Sequence, residues 1–224
     1  MVEIYYDGIH IEKYPEVKGF TTNCTLMSGL GMSYKEFYES KKDVIKGRPL
    51  SFQIWEDETD KAITQIEQIH SIDPALFVKI PIVNSAGKLN TELFQFCVQR
   101  EIPVNVTALY TFDQILSAYN LVHMSKAPCI ISVFAGPISD LSIDPDPIVR
   151  YATSIFKGTT SKVLWAGCRE VYSAIRAYKS GCDIITVPDG VIERIGIVST
   201  LEQLSIERVQ KFKRDALKGP ITIV

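Results

Sequence analysis

Eight short runs of β-branched and apolar residues, each followed by a stretch of helical periodicity, constrain this 224-residue chain more than any other feature. The runs are residues 2–6, 19–22, 50–54, 76–80, 102–106, 129–134, 162–166 and 183–187. Most are apolar almost throughout, as strands covered on both faces must be. Strand–helix alternation at this spacing predicts a parallel sheet. Eight units in so short a chain favour closure into a barrel; the runner-up, an open flavodoxin-like sheet, would use fewer strands. The expected fold is therefore α/β, a (β/α)8 TIM barrel forming one domain over residues 1–224, with its site at the C-terminal ends of the strands.

The helices announce their own ends. Ser33 with Glu36, and Thr111 with Gln114, have the spacing of capping boxes ahead of apolar faces. Gly47 is placed to stop the first of these helices. Asp146 is read as a cap with Pro147 in the first turn, and Gly181 as a C-terminal stop. Only a short helix, Ile11 to Val17 with Pro15 inside it, fits after the first run. Leu201, Leu204, Val209 and Phe212 mark a last helix beyond the barrel.

Composition narrows the class of function. The net charge is −2 with both signs interspersed, so no nucleic-acid footprint is expected. No apolar stretch is long enough to span a bilayer, and no signal peptide is read at the N-terminus. Five cysteines without CxxC spacing, several in apolar runs, suit a reducing, cytoplasmic protein. His10, His70 and His123 lie far apart, so no metal site is expected.

Polar side chains recur where the strands end. Lys79 stands among Phe77, Val78, Ile80 and Pro81; burial there would lower its pKa and yield the neutral amine that attacks a carbonyl. Alone, it reads rather as a snorkelling strand-end lysine. Asp7 ends the first run in YYDG, where a turn or cap role is the plain alternative. Asn23 ends the second in TTNCT, where it would cap the next segment. Gln53 sits inside SFQIW and needs hydrogen-bond partners if buried. Asn105, Thr107 and Ser132 continue the series. Each is weak evidence alone, but recurrence after six successive strands places them around one mouth.

The order of these segments resembles the transaldolase family, including the small fructose-6-phosphate aldolases, from Tyr5 to about Phe212. YYDG looks like the family's opening aspartate strand, and TTNCT is similar to TTNPS. VKIP matches the segment with the Schiff-base lysine. VNVTALYT, ISVFAGPI and KVLWAGCRE resemble the family's later strand ends. The resemblance implies Lys79 as the nucleophile and Asp7 as the general acid/base. It implies Thr107 and Gln53 as holders of a proton-shuttling water. Asn23, Asn105 and Ser132 would bind a dihydroxyacetone unit, with Phe134 and Arg169 also lining the substrate site. It further implies a homo-oligomer acting on a sugar or sugar phosphate, without metal or organic cofactor.

Three positions depart from the pattern. Pro137 replaces a phosphate-binding arginine, Gly167 replaces a phosphate-binding serine, and the helix after the first strand is short. Arg169 keeps the remaining basic position, where a solvated helix cap is the alternative role. Phosphate recognition is expected to be weakened. Gln53 matches the aldolase branch and Phe134 the transaldolases, which leaves group transfer and simple cleavage both open. Two competing readings stand beside these: a non-catalytic barrel serving as a binding or scaffold protein, and a barrel enzyme that binds a phosphorylated ligand without a Schiff base.

Overall fold

The eight runs form eight parallel strands: β1 (Glu3–Asp7), β2 (Gly19–Thr21), β3 (Leu50–Gln53), β4 (Phe77–Pro81), β5 (Val104–Leu109), β6 (Cys129–Val133), β7 (Ser161–Trp165) and β8 (Ile184–Val187). Each pairs with the next and β8 pairs with β1, so the sheet closes into a barrel. These features come from a computed structural model that describes residues 2–196 and 200–219. The chain divides into two compact units, one ending at Ile192 and one beginning at Glu193.

In the first unit, successive strand residues point alternately inward and outward. Outward residues such as Phe20, Leu50, Phe52, Val78, Val106 and Ile131 are fully buried, as the uninterrupted apolar runs require. The layer that buries them comprises α1 (Cys24–Ser28), α2 (Tyr34–Ile45), α3 (Thr59–Ile72), α4 (Thr91–Gln99), α5 (Phe112–Val122), α6 (Ala135–Asp140), α7 (Asp146–Ile155), α8 (Tyr172–Lys179) and α9 (Asp189–Ile192). Its inward faces are apolar: Ala62, Ile66 and Ile69 on α3, Leu93, Phe94 and Cys97 on α4, Ile115, Ala118 and Val122 on α5. Each large side chain so buried contributes about 1.5–3 kcal/mol. Both expected capping boxes are present, Ser33 with Glu36 and Thr111 with Gln114.

Several boundaries differ from expectation. The helix expected over Ile11 to Val17 contracts to one 3-10 turn, Ile11–Lys13. Tyr14 instead joins Tyr6 on the Asp189 carboxylate, each phenol donating at 2.8 Å and thereby fastening β1 to α9. The α2 helix ends at Ile45, two residues before the expected stop at Gly47, because Lys46 itself adopts the left-handed conformation. Asp146 opens α7 and Pro145 takes the cap position, with Pro147 still in the first turn. The fifth strand runs from Val104 to Leu109 and is interrupted by a register shift between Val106 and Leu109, with Ala108 at φ 59°.

The second unit, described by itself, contains α10 (Leu201–Ala216), whose Thr200 side chain caps the Gln203 amide at 3.0 Å. Leu201, Leu204, Ile206, Val209 and Phe212 are all exposed on it.

Candidate active site

The inward-facing residues form tiers. The lower tier is apolar, with Tyr5, Phe77, Ile130, Leu164 and Ile184 packed together. Two residues further along β1, β4, β6 and β8 the same face becomes polar, at Asp7, Lys79, Ser132 and Thr186, whereas after β7 it stays apolar at Ala166. Register pairs Asp7 with Thr21, Gln53 with Lys79, and Lys79 with Asn105. Strand parity puts Ser132 on the same face as Ile130, and Thr107 on the same face as Asn105.

Lys79 is 7% exposed, and its amine donates to the Thr22 carbonyl at 3.1 Å. That carbonyl is held in place, because the Thr22 amide and hydroxyl both donate to the Ser51 carbonyl, at 3.2 and 2.8 Å. Burial lowers the Lys79 pKa from the ordinary amine value of 10.5, while the Asp7 carboxylate and Cys24 oppose that shift. A neutral amine anchored through one N–H keeps its lone pair for a carbonyl carbon.

Asp7 has the reciprocal surroundings. Burial raises its pKa above 3.8, and the Lys79 charge and the Thr21 hydroxyl pull it back. The Thr21 hydroxyl donates to Asp7 at 2.8 Å, and Thr21 and Thr186 hydroxyl oxygens lie 2.6 Å apart. Since Thr21 has one proton, Thr186 must donate to it, which makes a one-way relay ending on the carboxylate.

Opposite this relay, Asn105 donates to the Ser51 hydroxyl at 3.0 Å and accepts from the Ser132 hydroxyl at 2.7 Å. These bonds lock the Asn105 rotamer and leave one of its two amide protons. The Thr107 hydroxyl is buried and has no hydrogen-bond partner among the described residues. An unsatisfied buried hydroxyl costs about 1–3 kcal/mol, so its place is suited to a polar guest. The β5 irregularity lies directly after Thr107, as bulges beside functional sites often do.

Two predicted site residues are also engaged structurally. Asn23 accepts from the Leu26 amide at 2.9 Å and so caps α1, as its sequence context allowed, while its side-chain amide protons remain. Arg169 donates through Nε and Nη2 to Asp140, at 3.2 and 3.0 Å. Phe134 packs on the lower apolar tier, and its ring lies 5.3 Å from that of Tyr110. Gln53 is half-buried beside Lys79. Sequence reasoning missed Thr21, Ser51, Thr186 and Asp140. The first two lie two residues before Asn23 and Gln53, so strand parity could have found them.

The first turn of α6 and the loop after β7 meet backbone to backbone. Gly136 donates to the Ala166 carbonyl at 3.2 Å, and a Cβ on Gly136 would lie 1.6 Å from the Gly167 carbonyl oxygen. Gly136→Ala should therefore destabilise the protein by about 1–3 kcal/mol, the range for overpacking that backbone shifts must relieve. Chemical denaturation measures it; a change below about 0.5 kcal/mol would show that the two segments separate freely.

A closed parallel barrel with a buried lysine, a half-buried carboxylate and amide and hydroxyl groups at its C-terminal mouth defines a (β/α)8 protein with a polar site. The chain belongs to the transaldolase/fructose-6-phosphate aldolase family, whose model matches residues 4–219. It is 29% identical over 175 residues to a "Probable transaldolase" of Streptococcus agalactiae, covering 77% of each chain. It is 26% identical over 206 residues to another so named in Geotalea daltonii, covering 91% of this chain and 90% of that one. Its fold is similar to that of a thiamine phosphate pyrophosphorylase from Pyrococcus furiosus, at a TM-score of 0.51 and 14% identity, covering 84% and 85% of the two chains. That last likeness concerns the barrel alone. Among the described residues, no three His, Cys, Asp or Glu side chains gather as a metal site, and no helix is long and apolar enough to cross a membrane.

Proposed function

We propose that the protein is a class I aldolase or transaldolase that moves a dihydroxyacetone-type unit through a Schiff base on Lys79. The observation that carries this reading is an amine buried in the barrel, held by one backbone carbonyl, with its pKa lowered by burial. The neutral Lys79 amine adds to the ketose carbonyl carbon to give a carbinolamine, whose hydroxyl takes up a proton from the shuttling water and leaves as water, giving the protonated imine. Asp7 takes the proton from the hydroxyl whose collapse to an aldehyde breaks the carbon–carbon bond. The electron pair of that bond passes into the imine, leaving an enamine. Protonation and hydrolysis release dihydroxyacetone, or attack on a second aldehyde completes a transfer.

The orphaned Thr107 hydroxyl, with Gln53 beside Lys79, suits the water that exchanges protons with the amine. Asn105 and Ser132, already bonded to each other, are placed to bind the hydroxyls of the three-carbon unit, with the Asn23 amide as a third contact. The imine is its own electron sink, so the mechanism requires neither metal nor organic cofactor. Phosphate recognition is weakened in this reading, since Pro137 and Gly167 offer no side-chain donor. The same reading makes the protein a cytoplasmic homo-oligomer over one functional domain; its five free cysteines suit a reducing compartment, and the exposed apolar residues of α10 offer an assembly surface.

Incubation with dihydroxyacetone followed by borohydride tests the reading. The expected result is one reduced adduct per chain, located on Lys79 by peptide mass mapping. A label on another lysine, or none with any ketose of a broad panel, overturns it and favours the non-catalytic barrel.

A further inference from the structure

The α6 helix and the loop after β7 bring one carboxylate, Asp140, onto Arg169, the basic residue that the family resemblance assigns to the site. Gly167 has φ 68°, and a Cβ there would lie 2.5 Å from the Pro137 ring. With the Gly136 contact described above, this excludes a side chain between the two segments, so neither position supplies an anion donor. Arg169 is left as the basic group, and both its bonds run to one oxygen of Asp140, the last residue of α6. A phosphate approaching that guanidinium would meet a carboxylate of its own sign about 3 Å away. Beside the pair lies an aromatic surface instead. The Arg169 Cγ lies 3.3 Å from where a Cβ on Gly136 would stand, two residues beyond Phe134, and the Tyr110 ring leans on that of Phe134 at 5.3 Å.

We propose that Asp140 is a specificity-determining residue that holds Arg169 and turns this end of the mouth toward uncharged aldehydes, whose chains pack on Tyr110 and Phe134. The inference rests on the aldol reading and names the acceptor class for that same site. Asp140 touches no reacting atom; it acts through Arg169. The carboxylate neutralises the guanidinium and repels a dianion, whereas the ring pair accepts a neutral chain without a charge partner. The pair is exposed, with both side chains more than half accessible, so its effect on binding a charged group is modest rather than absolute.

The test compares kcat/KM for glyceraldehyde 3-phosphate and for glyceraldehyde in the parent, in Asp140→Asn and in Asp140→Asn/Arg169→Gln. The parent should show little preference for the phosphate. Asp140→Asn should raise the phosphate-to-free ratio roughly fivefold, since it frees one exposed guanidinium for a charge-assisted bond. The double variant should return the ratio to the parent value. Asp140→Ser serves if the asparagine variant does not fold. Borohydride trapping with dihydroxyacetone on all three proteins separates the two levels of the argument. An adduct on Lys79 with an unchanged ratio in Asp140→Asn overturns the role of Asp140 alone. A parent that prefers the phosphate more than about tenfold also overturns it. No adduct in the parent removes the aldol reading and this inference with it.

Discussion

Lys79→Met should fold, form no borohydride-reducible adduct, and lose aldol cleavage to background. Methionine keeps an unbranched apolar stem in the space among the neighbouring strands, so circular dichroism and the unfolding transition should remain those of a folded barrel. Only the amine is removed, and with it the addition to the carbonyl. The pH dependence of trapping in the parent gives a second readout of the same group. Imine formation needs the neutral amine, and burial lowers the pKa of Lys79, so trapping should rise with pH through a midpoint below 10.5. A midpoint at or above the ordinary amine value would show that burial does not govern this lysine. Cleavage that survives in Lys79→Met would remove the covalent mechanism.

The second large effect separates Asp7 from Lys79. General acid–base catalysis by one side chain contributes about 10²- to 10⁴-fold. Asp7→Asn should slow cleavage by something on that order while still forming the reducible imine. Its sign on the pH profile follows from electrostatics: Asp7 is a negative charge that favours the Lys79 ammonium form. Removing it should shift the midpoint of trapping to lower pH, not higher. Trapping and cleavage measured on one preparation distinguish the steps. Cleavage at the parent rate would reduce Asp7 to the turn residue its position also permits. Loss of trapping in a folded protein would move its role to imine formation.

The local code was legible because it is written at short range. Strand identity followed from continuous apolar runs, and both capping boxes from a three-residue spacing that the backbone obeys. Polar strand ends were legible too: Asp7, Lys79 and Ser132 stand two residues beyond the inward apolar Tyr5, Phe77 and Ile130, while the inward Thr21 and Ser51 went unread because parity was not followed back along β2 and β3. Less visible were places where backbone geometry competes with pattern. The helix after β1 became a single 3-10 turn, because Tyr14 found the Asp189 carboxylate on α9, beside β1, instead of continuing a helix that Pro15 disfavours. The fifth strand began later and ended later than its apolar run, since Ala108 turns to positive φ and lets the chain pair on to Leu109.

By itself, the sequence determined the eight alternating units and several of the polar positions at their ends, which depend on residue type and spacing along the chain. Tertiary structure decided which partners those residues meet. Thr186 reaches Thr21 across 165 positions, and Asp140 reaches Arg169 across 29. Barrel closure makes the first contact and the approach of two glycine-bearing segments the second. Neither has a signature in local periodicity, because the energy of a hydrogen bond or ion pair depends on distance in space and is indifferent to distance along the chain.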